Sequence, residues 1–190
     1  MTLFRTVPPA LEPVSLAEAK THLRVEHDAE DELIAGLVRA AREEVEAATG
    51  RALIDQDWRL VLDRWPALPI VRLRRTPVRT VLSVTVYDAD GAATLVDPAA
   101  YRLDGHAVPA RLSIAHPPDP ARAINGIEID FRAGYGEAGA DVPDLPKRAI
   151  LMLVAHWYAF RGAYGPQDQP VSLPDGYRRL LAAYRAPRLA

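Results

Sequence analysis

The chain has 190 residues, of which 49% are hydrophobic and 25% are charged, and its formal net charge is −2 at pH 7. This composition is typical of a folded globular protein and too apolar for a disordered one. The near-neutral charge argues against a bulk electrostatic attraction to nucleic acid. Because cysteine is absent, disulfides, thiolate metal sites and a cysteine nucleophile are excluded. No apolar run reaches the ~18–20 residues that a membrane-spanning helix needs.

Two helices are predicted in the first fifty residues. Ser15 and Glu18 have the S-x-x-E spacing of a capping box, so a short helix begins after Ser15. Asp28 is placed to cap a second helix that runs to about Thr49 and ends at Gly50. The apolar stripe predicted for this second helix is Leu33, Leu37, Ala41, Val45 and Ala48, widened by Ile34 and Val38.

From about residue 52 to residue 135 the hydrophobic pattern alternates, as in half-buried strands. The clearest strands are 58–62, 82–86 and 127–131, and Asp90-Gly91 and Asn125-Gly126 supply tight turns. Shorter strands are predicted at 70–73, 101–103 and 111–114. The pattern indicates a small antiparallel sheet.

Helical periodicity returns at Asp144 and predicts a long apolar helix, followed by a last helix from about 174 to 184. The sequence therefore predicts an α+β fold in one domain, residues 1–190. Helices at about 15–50 and 144–184 form a bundle in this prediction, and the sheet is inserted at about 52–135.

Residues Gly134, Gly136 and Gly139 form a G-x-G-x-x-G pattern after a predicted strand. A dinucleotide site needs the third glycine at the start of a helix inside a parallel βαβ unit. Here Pro143 and Pro146 intervene and no such unit is predicted, so the pattern favours a strand-to-helix connection. A nucleotide-binding enzyme that uses Gly134–Gly139 is kept as an alternative. The histidines and serines form no metal or nucleophile motif, and we predict no catalytic residue, metal or cofactor.

Charge is distributed unevenly along the chain. The start of the second predicted helix carries an acidic cluster, which we define as Asp28, Glu30, Asp31 and Glu32. The other end of the chain is basic and aromatic. We define its C-terminal set as Tyr177, Arg178, Arg179, Leu181, Tyr184 and Arg185. Such unlike faces favour contact with a copy of the chain or with a partner, and two solvated faces are the alternative.

Two stretches of the sequence resemble a known family. The first is SLAEAKTHLR at 15–24, followed by DELI at 31–34, AREEVE at 41–46 and TGRALI at 49–54. The second is FRAGYG at 131–136, followed by VP at 142–143 and KRAILMLVAHWY at 147–158. In this order they resemble phage head–tail connector proteins, also called adaptor or head-completion proteins, including the adaptors of gene transfer agents.

The resemblance implies a structural, non-enzymatic adaptor in the neck of a phage or phage-like particle that is assembled in the bacterial cytoplasm. Adaptors of this family form a ring, typically of twelve copies, between the portal protein and a tail-side stopper. The ring extends a channel through which DNA passes without sequence-specific binding, and no membrane or cofactor is involved. The resemblance implies that the C-terminal set binds the portal, and the acidic cluster is a candidate contact between subunits. Another neck or tail component of the same particle is a further alternative.

Overall fold

The computed structural model describes residues 1–68, 70–161 and 173–185. The chain divides into two compact units. The β unit comprises Met1–Ala10 and Asp55–Tyr135, and the helical unit comprises Leu11–Ile54 and the chain from Gly136 onward. The structure contains both helices and antiparallel sheets, so the predicted α+β class is confirmed.

The described part of the β unit contains eight strands in two antiparallel sheets. They are β1 (Thr2–Val7), β2 (Gln56–Leu62), β3 (Ile70–Leu73), β4 (Val78–Tyr87), β5 (Ala93–Leu95), β6 (Tyr101–Asp104), β7 (Ala110–Ile114) and β8 (Ile127–Ala133). The larger sheet has the order β1-β2-β8-β4-β5, and the smaller one has the order β3-β7-β6.

Strand β8 lies at the centre of the larger sheet, between β2 and β4. Its side chains alternate between a fully buried face and a half-buried face. On the half-buried face, Arg59 donates to Asp130 over 2.7 Å and Arg132 donates to Asp57 over 2.7 Å. Each pair joins directly opposite residues of β2 and β8. These ion pairs therefore favour one register of the two strands.

The β unit differs from the predicted single sheet in two ways. Residues 2–7, to which the sequence analysis assigned no structure, form the edge strand β1 against β2. The short strands β3, β6 and β7 form a sheet of their own. Both differences arise because strands pair with segments that are distant in the chain. Local hydrophobic periodicity does not predict such pairing.

The helical unit contains α1 (Leu16–Leu23), α2 (Asp31–Thr49), α3 (Asp144–Ala159) and a single turn, α4 (Tyr177–Leu180), that leads into a 3₁₀ turn, Ala182–Tyr184. α2 packs against α1 and α3, and α3 packs against α4. The last predicted helix is thus shorter than expected. Residues 162–172 of the predicted C-terminal helical region lie outside the described residues.

The predicted helix signals are confirmed at two of three positions. Ser15 and Glu18 form the capping box, with Glu18 N donating to Ser15 Oγ over 3.2 Å and Ser15 N donating to Glu18 Oε2 over 2.7 Å. α2 ends at Gly50, whose φ of 72° is left-handed. The prediction that Asp28 caps α2 is wrong. Glu30 holds the capping position without a side-chain bond, and the Asp28 carboxylate binds Lys20 instead.

The buried face of α2 differs by one residue from the predicted stripe. Ile34, Val38, Ala41 and Val45 are buried, whereas Leu33 is 41% exposed. α3 contributes the other half of the helical core, with Ala149, Ile150, Leu153 and Val154 fully buried. All four of the buried α2 residues named above belong to the predicted stripe, so the prediction is wrong at Leu33.

A buried ionic network joins the start, middle and end of the first helical segment. Arg42, only 3% exposed, donates to Glu12 over 2.8 Å and to Glu46 over 3.0 Å. The second oxygen of Glu46 accepts from the backbone N–H of Leu53 over 2.9 Å. The network therefore fixes the chain before α1 and the turn after α2 to the middle of α2.

Replacing Arg42 tests this network. We expect Arg42→Met to lower the free energy of unfolding by about 3–5 kcal/mol, because Glu46 stays buried without its counter-charge. Urea unfolding followed by circular dichroism measures the loss. The control is Arg39→Met at an exposed position of the same helix, which should stay within about 0.5 kcal/mol of the wild type. Equal effects of the two substitutions would contradict the assignment.

Candidate functional site

Half of the acidic cluster is paired with α1. Lys20 lies 2.5 Å from Asp28 and 2.7 Å from Asp31. These hydrogen bonds raise the pKa of Lys20, and the bond to Lys20 lowers the pKa of Asp28. The Asp28 side chain is still 87% exposed. Two carboxylates thus share one ammonium group, and this side of the cluster stays negative.

Glu30 is held by the end of α3. It accepts a short hydrogen bond from the Tyr158 hydroxyl and another from Arg161 Nε over 3.0 Å. The Arg161 guanidinium lies 4.0 Å from the centre of the Tyr158 ring. The Tyr158 hydrogen bond, with the charge of Arg161, holds the pKa of Glu30 below its usual value. Glu32 is exposed and forms no ion pair with any described residue.

Sequence reasoning missed Tyr158 and Arg161 as partners of the acidic cluster. Their spacing of three residues places them on one face at the end of a helix. This spacing was the available signal, but it does not identify Glu30, which is 128 residues from Tyr158. The packing of α3 on α2 decides the contact.

The C-terminal set divides into a buried half and an exposed half. Tyr177 and Leu181 are fully buried, and burial raises the pKa of the Tyr177 hydroxyl. The carbonyl of Tyr184 accepts from Arg51 Nε over 2.9 Å, and the Arg51 guanidinium lies 5.5 Å from the Tyr184 ring. The exposed members are Arg178, Arg179 and Arg185. The buried side chains therefore fix where these arginines are presented.

In the glycine pattern at 134–139, the space beside Gly136 is occupied by the side chain of Asp141. A Cβ on Gly136 would lie 2.1 Å from Asp141 Oδ2, an oxygen that accepts from Ala138 N over 3.0 Å. Gly139 begins a 3₁₀ turn, and α3 starts only at Asp144. A carboxylate thus occupies the place where a dinucleotide site holds phosphate, and β8 is antiparallel to both neighbours. These residues do not fit the nucleotide-binding alternative.

The described part of the chain contains neither a metal site nor a membrane-spanning helix. No group of three or more histidine, aspartate or glutamate residues there is placed to hold a metal ion. No described helix has the length and apolar character needed to cross a lipid bilayer.

The chain is similar to a phage head–tail connector family and to proteins of gene transfer agent particles. A sequence model of the family described as phage gp6-like head-tail connector protein matches residues 13–88. No curated protein matches the chain. Among solved structures, it is similar to a protein in the neck of an empty gene transfer agent particle computed with C6 symmetry, with 29% identity and a TM-score of 0.83. The match covers 100% of this chain and 98% of the other.

Two further structures give similar values. A chain in the virion of a native gene transfer agent particle is 29% identical with a TM-score of 0.81. A chain in the neck of a native particle computed with C12 symmetry is 28% identical with a TM-score of 0.81. Each match covers 100% of this chain and 98% of the other.

The fold and these matches define a structural protein of a particle neck. Over residues 13–88 the chain is similar to the head–tail connector family. The predicted resemblance, structural role and location in the neck are therefore confirmed.

The two glycines Gly136 and Gly36 give opposite predictions for alanine. Gly136→Ala should lower the free energy of unfolding by about 1–3 kcal/mol, because its Cβ would overlap Asp141. Gly36 lies inside α2, where an added Cβ meets only Arg39 at 3.8 Å. Gly36→Ala should therefore raise the free energy of unfolding by about 0.5–1 kcal/mol. Urea unfolding measures both changes. A Gly136→Ala protein as stable as the wild type would contradict the close approach of Gly136 and Asp141.

The pKa of Glu30 tests its contact with α3. Carboxyl NMR titration of the folded protein should give a value below that of an ordinary glutamate, and Tyr158→Phe should raise it. Because the pKa is lowered on folding, the contact stabilises the protein above the ordinary glutamate pKa, and this contribution is lost as the pH falls through the folded value. Arg161→Gln should also raise the pKa, because the Arg161 charge lowers it. A value unchanged in both variants would contradict the contact.

Proposed function

We propose that copies of this chain form a ring, of twelve subunits, between a portal protein and a tail-side stopper, and that the ring extends the DNA channel. The observation that carries this proposal is the whole-length similarity to proteins of necks computed with C6 and C12 symmetry. In this role the chain acts by binding other subunits and catalyses no reaction.

A closed ring of identical subunits with head-to-tail contacts needs two unlike faces on each copy. The acidic cluster supplies one of them. Lys20 and Arg161 neutralise part of its charge. Glu32 is exposed and can face a neighbour, and so can Asp28, which stays exposed although it binds Lys20. The acidic cluster therefore contributes to the contact between subunits.

The C-terminal set binds the portal protein in this proposal. Tyr177 and Leu181 are anchored in the helical core, so α4 presents Arg178 and Arg179 at a defined place. The helices from both ends of the chain act as one bundle in positioning them. Guanidinium groups suit such a contact because they bind carboxylates in a fixed, two-pronged geometry.

DNA passes through the ring without sequence-specific binding. A formal net charge of −2 avoids the strong phosphate neutralisation that would hold DNA in place. The channel contact is therefore weak and independent of sequence, which suits a conduit.

Charge reversal of the exposed arginines tests portal binding. We expect Arg178→Glu combined with Arg179→Glu to lower incorporation into portal-containing particles at least about tenfold, which corresponds to 1.4 kcal/mol. Quantitative immunoblotting of purified particles measures incorporation. The matched control is Arg39→Glu combined with Arg148→Glu, which changes the charge equally at exposed positions of α2 and α3.

Two outcomes would contradict the proposal. Full incorporation of the Arg178→Glu, Arg179→Glu protein would show that the C-terminal set does not bind the portal. If particles keep their DNA and their tails after deletion of the gene, the chain does not form the connection in the neck.

A further inference from the structure

A groove of about 450 Å³ in the β unit combines exposed apolar side chains with arginines. Its apolar part includes Met1, Leu68 and Ile70, which are 62%, 72% and 38% exposed. Its rim carries three exposed arginines, Arg64, Arg72 and Arg74. We call this surface the arginine groove. Its described lining contains no acidic residue.

The positive charge of this groove is not neutralised within the described part of the chain. None of its three arginines forms an ion pair with a described residue. Arg72 on β3 lies directly opposite Arg111 on β7, and Asp104 of β6 binds Arg111 over 2.5 Å. Like charges on opposite residues of a strand pair destabilise a sheet. The position of Arg72 opposite Arg111 thus lowers the stability of the small sheet, and a negatively charged partner could offset this loss.

The composition of the groove points to a protein partner. Exposed apolar side chains together with arginine, without lysine or carboxylates, are typical of protein interfaces. A phosphate backbone would pair with the arginines but has no apolar group to cover Leu68 and Met1. The matching partner is a segment in which an exposed apolar side chain lies beside free carboxylates.

The start of α2 is such a segment. Leu33 is 41% exposed and adjoins Glu32, which has no ion pair within the described residues. Glu26 and Asp28, shortly before it, are also exposed. A head-to-tail ring requires that a surface of one copy fit a different surface of the next.

We propose that the arginine groove of one copy receives the start of α2 of the next copy. Leu33 packs against Leu68 and Ile70, and Glu32 pairs with the groove arginines. The inference rests on the proposed function and adds to it the surface that the acidic cluster contacts.

Engineered cysteines test this contact directly, because the natural chain has none. In particles carrying Leu33→Cys and Leu68→Cys on one chain, oxidation should link neighbouring copies into a ladder of oligomers on a non-reducing gel. A disulfide requires Cα atoms within about 7 Å, so only direct contact gives the ladder. Each single variant should stay monomeric on the gel. The matched control pairs Leu33→Cys with Leu95→Cys, since Leu95 is as exposed as Leu68 at 72%.

Charge exchange gives a second, independent test. Arg72→Glu should reduce incorporation into necks about tenfold, which corresponds to 1.4 kcal/mol, and Glu32→Arg added to it should restore incorporation. Arg102→Glu is the control, because Arg102 is an exposed arginine of the same small sheet that lies outside the groove lining.

The outcomes separate this inference from the proposed function. If the wild-type chain is missing from purified necks, both fail. If it is present but Leu33→Cys, Leu68→Cys gives no ladder, or Leu95→Cys links equally well, the inference alone fails. If Arg72→Glu enters necks normally and the particles instead lose DNA, the groove faces DNA and the inference is overturned.

Discussion

The antiparallel pairing of β2 with β8 brings together the two ends of the segment 56–133. Gln56 lies opposite Ala133, and an added Cβ on Gly134 would lie only 2.5 Å from the backbone nitrogen of Asp55. Asp55, just before β2, and Gly134, just after β8, are therefore close together. In the helical unit, α2 and α3 are far apart in sequence but share one core. The acidic cluster and the C-terminal set both lie on or next to elements of that core.

The distribution of ion pairs says more about function than the net charge does. Buried or half-buried charges in the helical unit serve folding, as the pairs of Arg42 with Glu46 and of Arg161 with Glu30 illustrate. Charged residues without such partners in the described part of the chain include Glu32 at the start of α2, Arg178 and Arg179 on α4, and the arginines of the arginine groove. A net charge of −2 thus conceals separate acidic and basic surfaces, which is the pattern that binding between unlike faces requires.

Local signals predicted the helices better than the sheets. The capping box at Ser15 and the stop at Gly50 act within a few residues, so the sequence reports them directly. β1 is an edge strand whose partner lies about fifty residues away, and no local pattern identifies that pairing. On α2, Leu33 and Ile34 both fit a helical period, and the structure buries Ile34 and leaves Leu33 exposed. Only the position of α3 decides between them.

The interaction surfaces were harder to predict than the elements that carry them. The acidic cluster was visible in sequence, but its partners Tyr158 and Arg161 become neighbours only through packing, and the family resemblance supplied the function. A protein that works by fitting other subunits carries no reactive side chain to recognise, since its functional residues are ordinary leucines, glutamates and arginines. The pattern with a chemical meaning, G-x-G-x-x-G, is instead a connection filled by Asp141. For such a protein, charges and apolar side chains that folding leaves without partners are more informative than motifs.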